Sequence, residues 1–227
     1  LFDLRDAYRF RPITPPSVPY SDPTEGQDPE YGASINYWLG QPAASSPTIE
    51  IVDEMGSVVR TLKGTNHTGV NRIHWDLADE SNGPIRLFTS PMYAEHMMVG
   101  EEGRPAPGGR QISILMPPGN YTVRLNVDGE THEQTLKVIK DPHSAGSEDD
   151  ITAQVAFLRG VREDVVRAGE AVHRVEAMRV QLATVKRFTD DPAVVESIEV
   201  VEEKLIEMQM EMVDLRLTGQ GQDGVRF

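Results

Sequence analysis

The apolar period changes once along this chain, and that change limits the folds open to it. From Ala33 to Ile139 large apolar residues alternate with polar ones, whereas after Ser147 they recur every three or four positions. Alternation belongs to strands with one wet face, and the longer step to helices with one buried stripe. The class expected is therefore α+β, a strand-rich part followed by a helical part.

Within the first part the clearest strand sets Tyr121, Val123, Leu125 and Val127 against Thr122, Arg124, Asn126 and Asp128. Asp128-Gly129 then favours a tight turn into a partner strand carrying Leu136 and Val138. Shorter strands are expected at 34–39, 48–52, 58–62 and 70–75, divided by Pro- and Gly-containing turns. Six or seven such strands over about 100 residues predict an antiparallel β-sandwich of immunoglobulin or fibronectin-III type across 32–140. Pro84, Pro91, Pro105, Pro107, Gly108 and Gly109 interrupt the pattern, so about 78–110 is expected to be an inserted loop.

Residues 1–31 carry Pro12, Pro15, Pro16, Pro19, Pro23 and Pro29, which predicts an extended arm, because proline fixes φ and lacks a donor. Leu1, Phe2, Leu4, Tyr8, Phe10, Ile13 and Tyr20 make the arm too apolar for a free chain. It is expected to lie on a surface of this polypeptide or of another.

The second part, 147–218, is expected to form an antiparallel helical hairpin. Ser147 and Asp150 make a capping box. Ile151, Leu158, Val165 and Val172 repeat every seven residues, as do Val161, Ala168, Val175 and Leu182, which together predict a long seam. Asp191 as cap and Pro192 at the first helical position start a second helix. There Ile198, Val201, Leu205, Met208, Met212 and Leu215 form one stripe, and Ile206, Met210, Val213 and Leu217 form another beside it. A two-helix hairpin buries one stripe per helix, so the second is a candidate interface. Its partner can be the sandwich, a second copy, or a further helix past the 219–227 tail.

Composition narrows the chemistry. The 227 residues contain no Cys, which excludes disulfides, thiolate metal sites and a cysteine nucleophile. A net charge of −14 repels phosphate backbones, so nucleic acid is not expected as a partner. Nine basic and 16 acidic residues between Ser147 and Leu217 account for half of that charge, and a solvated helix face explains them. No apolar run reaches the length of a membrane span. The histidines, His67, His74, His96, His132, His143 and His173, stand in no metal-ligand spacing, and no nucleophile elbow or phosphate loop occurs. No catalytic residue, metal or cofactor is expected from these patterns. The aromatics Tyr37, Trp38, Trp75 and Tyr93 are candidates for a sugar-stacking platform, set against a role for both tryptophans as core anchors.

Several segments, taken in order, resemble a known group of proteins. They are Asp6-Ala7-Tyr8-Arg9-Phe10, Gly32 to Leu39, Ile49 to Leu62, Gly69 to Leu77, Pro118 to Leu125 and Gly219 to Phe227. This order resembles the C-terminal region of bacterial sialidase-like or sortilin-type proteins built on repeat β-propellers and often labelled glycosyl hydrolases. The middle portion is similar to the immunoglobulin-like domain of flagellar hook-capping proteins. The resemblance implies a secreted or envelope protein whose propeller precedes Leu1, with any catalytic residues in that propeller. The module expected is then a non-catalytic accessory one that packs on its propeller or mediates assembly, with self-assembly through the helices open to it because of the second apolar stripe. A carbohydrate-binding module using the exposed aromatics is the alternative.

Overall fold

The computed structural model describes residues 1–11, 26, 29–94, 96–109 and 111–218. Most of the proline-rich arm, including Ile13 and Tyr20, and the 219–227 tail lie outside the described residues. The strands are β1 (Ala7–Arg9), β2 (Ala33–Leu39), β3 (Thr48–Val52), β4 (Val58–Lys63), β5 (Gly69–Trp75), β6 (Arg86–Leu87), β7 (Arg104–Pro105), β8 (Gly119–Val127) and β9 (Glu130–Lys140). The helices are α1 (Glu148–Arg187) and α2 (Pro192–Met210). The chain divides into two compact units, Leu1–Glu80 with Ser113–Arg159 and Ser81–Ile112 with Gly160–Phe227.

The first unit holds two sheets. Five strands run in the order β1-β9-β8-β3-β4, and β2 pairs with β5 as a separate antiparallel ribbon. Alternation sets which side chains turn inward. In β2 the buried residues are Ala33, Ile35, Tyr37 and Leu39, and the residues between them are more exposed. Ile35, Tyr37 and Trp75 from the ribbon join Ile49, Ile51, Val123, Leu125, Leu136 and Val138 from the larger sheet in one buried cluster. Trp75 anchors it, edge-on to Tyr121 with ring centroids 5.3 Å apart, and its indole N–H donates to the Ala78 carbonyl at 2.8 Å.

The turn between β8 and β9 is made by Asp128 and Gly129, with φ of 48° and 85°. Positive φ at both central residues is what a two-residue hairpin needs to match strand twist. Gly32 is required for a different reason: its φ is 110°, and a Cβ there would overlap the Trp75 carbonyl oxygen. Part of the arm becomes a strand, because Ala7, Tyr8 and Arg9 pair in parallel with Val138, Ile139 and Lys140.

In the second unit α1 and α2 are antiparallel, since Lys186 pairs with Glu199 while Arg179, earlier in α1, meets Gln209, later in α2. Asp191 caps α2 by accepting from the Ala193 N–H at 2.9 Å, with Pro192 opening the helix. The segment 81–112 belongs to this unit and is more than a loop: β6 and β7 pair, and Leu87 and Ala106 pack with Val172, Val213 and Leu215. Gly169 lets this segment approach, for a Cβ there would stand 3.0 Å from Ile85 Cγ1. The second apolar stripe is thus covered from within the chain. Ile206 and Met210 pack against this same cluster and Val213 is part of it, while the Leu217 carbonyl accepts from Arg104 at 2.8 Å.

The seam of α1 follows the heptad expectation except at Ala168, since Val161, Val175 and Leu182 are buried or half-buried with Ile151, Leu158, Val165 and Val172. Ile151, Val155, Leu158, Val165, Gly169, Val172, Glu176 and Arg179 are buried or half-buried, whereas Ala168 is exposed. A 4-3 step from Ile151 therefore carries two charged residues into the interior of the second unit. Among the described residues no helix is long and apolar enough to cross a membrane.

Candidate functional site

A concavity lies in the first unit, where the arm joins the sheet. It is an open groove of about 1410 Å³ walled by 6–11, 29–32, the end of β9 and the start of α1. Each wall follows from local chemistry. The start of α1 is fixed by reciprocal capping: the Ser147 hydroxyl and backbone N–H donate to Asp150 Oδ2 at 2.7 and 2.8 Å, and the Asp150 N–H donates to Ser147 Oγ at 3.1 Å. These bonds, the backbone one first, hold the Asp150 carboxyl below its usual value.

Arg9 links β1 to the opposite wall. Its Nε donates to the Met116 carbonyl at 2.8 Å, and its Nη2 to the Leu115 carbonyl at 3.4 Å and Gln154 Oε1 at 3.3 Å. Burial lowers its guanidinium from the usual value, partly offset by Tyr31 and Tyr121. Lys140 donates to the Ser144 and Asp141 carbonyls at 2.5 and 3.2 Å. Phe10 and Tyr31 meet edge to face with centroids 4.7 Å apart, and the Tyr31 hydroxyl accepts from the Phe10 N–H at 3.3 Å. Burial raises the Tyr31 phenol, which stays a neutral donor and acceptor at neutral pH. Arg9 and Lys140 are thus engaged with carbonyls, while Tyr8 and Phe10 stay exposed.

The aromatic platform expected from sequence separates into different environments. Tyr37 and Trp75 are fully buried, and the Tyr37 hydroxyl donates to the Thr65 carbonyl at 2.5 Å. Trp38 is 60% exposed on the outer face of the β2–β5 ribbon, opposite Val70 and next to the Asn36–Arg72 pair, where Arg72 Nε donates to Asn36 Oδ1 at 2.7 Å. Tyr93 is exposed in the second unit.

The second unit contains a polar centre that sequence reasoning missed. Glu176 is fully buried, and its carboxylate accepts from the Phe88 N–H at 2.6 Å, the Thr89 N–H at 2.9 Å and the Thr89 hydroxyl at 3.0 Å. Gln209 Nε2 donates to it at 2.6 Å and Arg179 Nη1 at 3.2 Å. Arg179 also reaches Thr89 Oγ1 and Gln209 Oε1, each at 3.0 Å. A carboxylate that accepts from five donors acts as a fastener, and here it fastens the 81–112 segment to both helices. The signal in the sequence was the 4-3 step itself, which reaches Glu176 and Arg179 once polar residues are counted. His173 takes part nearby, its Nε2 accepting from the Arg86 N–H at 3.1 Å.

Elsewhere the histidines pair singly, His74 with Glu30 at 2.8 Å and His132 with Glu130 at 3.5 Å. Among the described residues no three His, Asp or Glu side chains converge as metal ligands would. No protein-family model matches the chain, and no solved structure matches its fold.

Proposed function

We propose that this chain is a non-catalytic interaction module and that the groove of the first unit is its binding face. The observation that carries the proposal is the division of labour there. Arg9 and Lys140 are engaged with the Met116, Leu115, Ser144 and Asp141 carbonyls, so they brace the walls, while Tyr8 and Phe10 offer apolar surface to a partner. A rigid frame carrying exposed aromatics is the ordinary composition of a protein-binding surface.

The partner is a β-propeller of the same parent protein, following the resemblance of the ordered motifs, and the setting is secreted or envelope. The first unit is an immunoglobulin-like sandwich in this account; the one core shared by its two sheets supports that assignment. Calorimetric titration of the chain with that propeller tests the proposal. Tyr8→Ala and Phe10→Ala are expected to weaken binding by about tenfold or more each. Binding that ignores both substitutions, or hydrolysis of glycosides by the chain itself, would overturn it.

Trp38 favours a second function, carbohydrate binding, because an exposed indole beside a polar Asn36–Arg72 pair suits a sugar ring. Oligosaccharides that change the fluorescence of the native chain and not of Trp38→Phe would select this function. No change with either protein would remove it.

A further inference from the structure

The outer face of the β2–β5 ribbon is ordered in a way that the core beneath it does not require. Alternation turns Tyr37 and Trp75 inward and leaves Ser34, Asn36 and Trp38 of β2 beside Val70, Arg72 and His74 of β5 on the outside. The antiparallel register sets Trp38 opposite Val70, Asn36 opposite Arg72 and Ser34 opposite His74. Trp38 and Val70 are 60% and 66% exposed, so the apolar end of the face is open to solvent. The benzo edge of the indole lies against Gly40, where a Cβ would stand 3.0 Å from Cη2.

Arg72 identifies the chemistry of the ligand. Asn36 Nδ2 donates to Ser34 Oγ at 3.4 Å, which turns Asn36 Oδ1 to the Arg72 Nε–H at 2.7 Å. The guanidinium is thus held by its side, and its two terminal nitrogens have no hydrogen bond or ion pair among the described residues. The neighbouring His74 is already paired with Glu30 at 2.8 Å. Acidic residues outnumber basic ones by 36 to 22, so an exposed arginine with no acid beside it runs against the composition of the chain. The open end of a guanidinium fits a carboxylate through two parallel bonds. Trp38 and Arg72 are diagonal neighbours across the strand pair, about 7 to 8 Å apart along the backbone, which one or two sugar units span.

We propose that this face binds an acidic saccharide built of uronic acid units, with a sugar ring stacked on Trp38 and a carboxylate held end-on by Arg72. The proposal rests on the carbohydrate function of Trp38 and names its ligand class. Calorimetric titration of the full chain with oligomers of galacturonate, glucuronate and mannuronate, and with their neutral methyl esters, tests it. At least one acid oligomer is expected to bind, its methyl ester about tenfold or more weakly, and the binding should weaken as salt is raised. Arg72→Gln should weaken the acid form by about tenfold and leave the ester unchanged, while Arg72→Lys restores only part of the loss because it keeps the charge without the fork. Both variants sit on an exposed position, and unchanged circular dichroism melting separates loss of the site from loss of the fold. Equal binding of acid and ester, or indifference to Arg72→Gln, would overturn the acidic ligand and leave the sugar function of Trp38 standing. Binding of oligoglutamate as tight as that of the uronates would also overturn it, by showing a site for carboxylates rather than sugars. Absence of binding by every saccharide would overturn both.

Discussion

Glu176 and Gln209 meet at 2.6 Å in the interior of the second unit, where both side chains are fully buried. Neither residue reads as a core position. Their contact joins α1 to α2, and the remaining oxygen of Glu176 takes the backbone N–H groups of Phe88 and Thr89. One carboxylate therefore ties three segments together.

Replacing Glu176 with Ala leaves the Arg179 guanidinium buried without its anion. Removing one partner of a buried pair costs about 3 to 5 kcal/mol. Calorimetric unfolding should show a loss of this size, with faster amide exchange at Phe88 and Thr89. Glu176→Gln keeps the shape and should cost less.

Gly32 tests the backbone of the first unit. Its φ of 110° and the Trp75 carbonyl behind it leave no room for a methyl group. Gly32→Ala is expected to destabilise by about 2 to 3 kcal/mol in denaturant titration.

The two tryptophans should behave oppositely. Trp75→Ala removes a fully buried ring and its hydrogen bond to Ala78, at a cost of about 3 to 5 kcal/mol. Trp38→Ala should stay within about 0.5 kcal/mol of the native protein. In acrylamide quenching of the native chain, the accessible fraction should vanish on Trp38→Phe.

The cap of α1 gives a pH prediction. Bonds from Ser147 depress the folded-state Asp150 carboxyl below its unfolded value of 3.8. The cap therefore contributes its full stability above about pH 4 to 5 and loses it as pH falls through the depressed folded value. Asp150→Asn should lower the neutral plateau of a stability-versus-pH curve and leave its acid end little changed, which flattens the acid limb. An acid limb of unchanged slope in the variant would show that other carboxylates set it.

The strands and the helix pair were legible because each is written in a period. Tyr121 to Val127 alternate, Asp128-Gly129 has the turn chemistry its positive φ values need, and Asp191-Pro192 marks the start of α2. The parallel pairing of Ala7–Arg9 with β9 was not legible, since three residues of backbone bonding leave no pattern. The 81–112 segment misled for a related reason. Ile85, Leu87 and Met92 share no period, so nothing marked them as the cover of Ile206 and Met210. Counting only apolar residues also passed over Glu176 and Gln209. The groove was invisible in sequence, because Arg9, Tyr31 and Asp150 come together only after the arm joins the sheet.

Hydrogen exchange measured on the chain alone and after addition of the proposed β-propeller partner tests the central claim most directly. If the groove is the binding face, amides of 6–11 and 31–32 exchange more slowly with the propeller present while those of the outer β2–β5 face do not change. Equal exchange at 6–11 with and without the propeller would contradict the account.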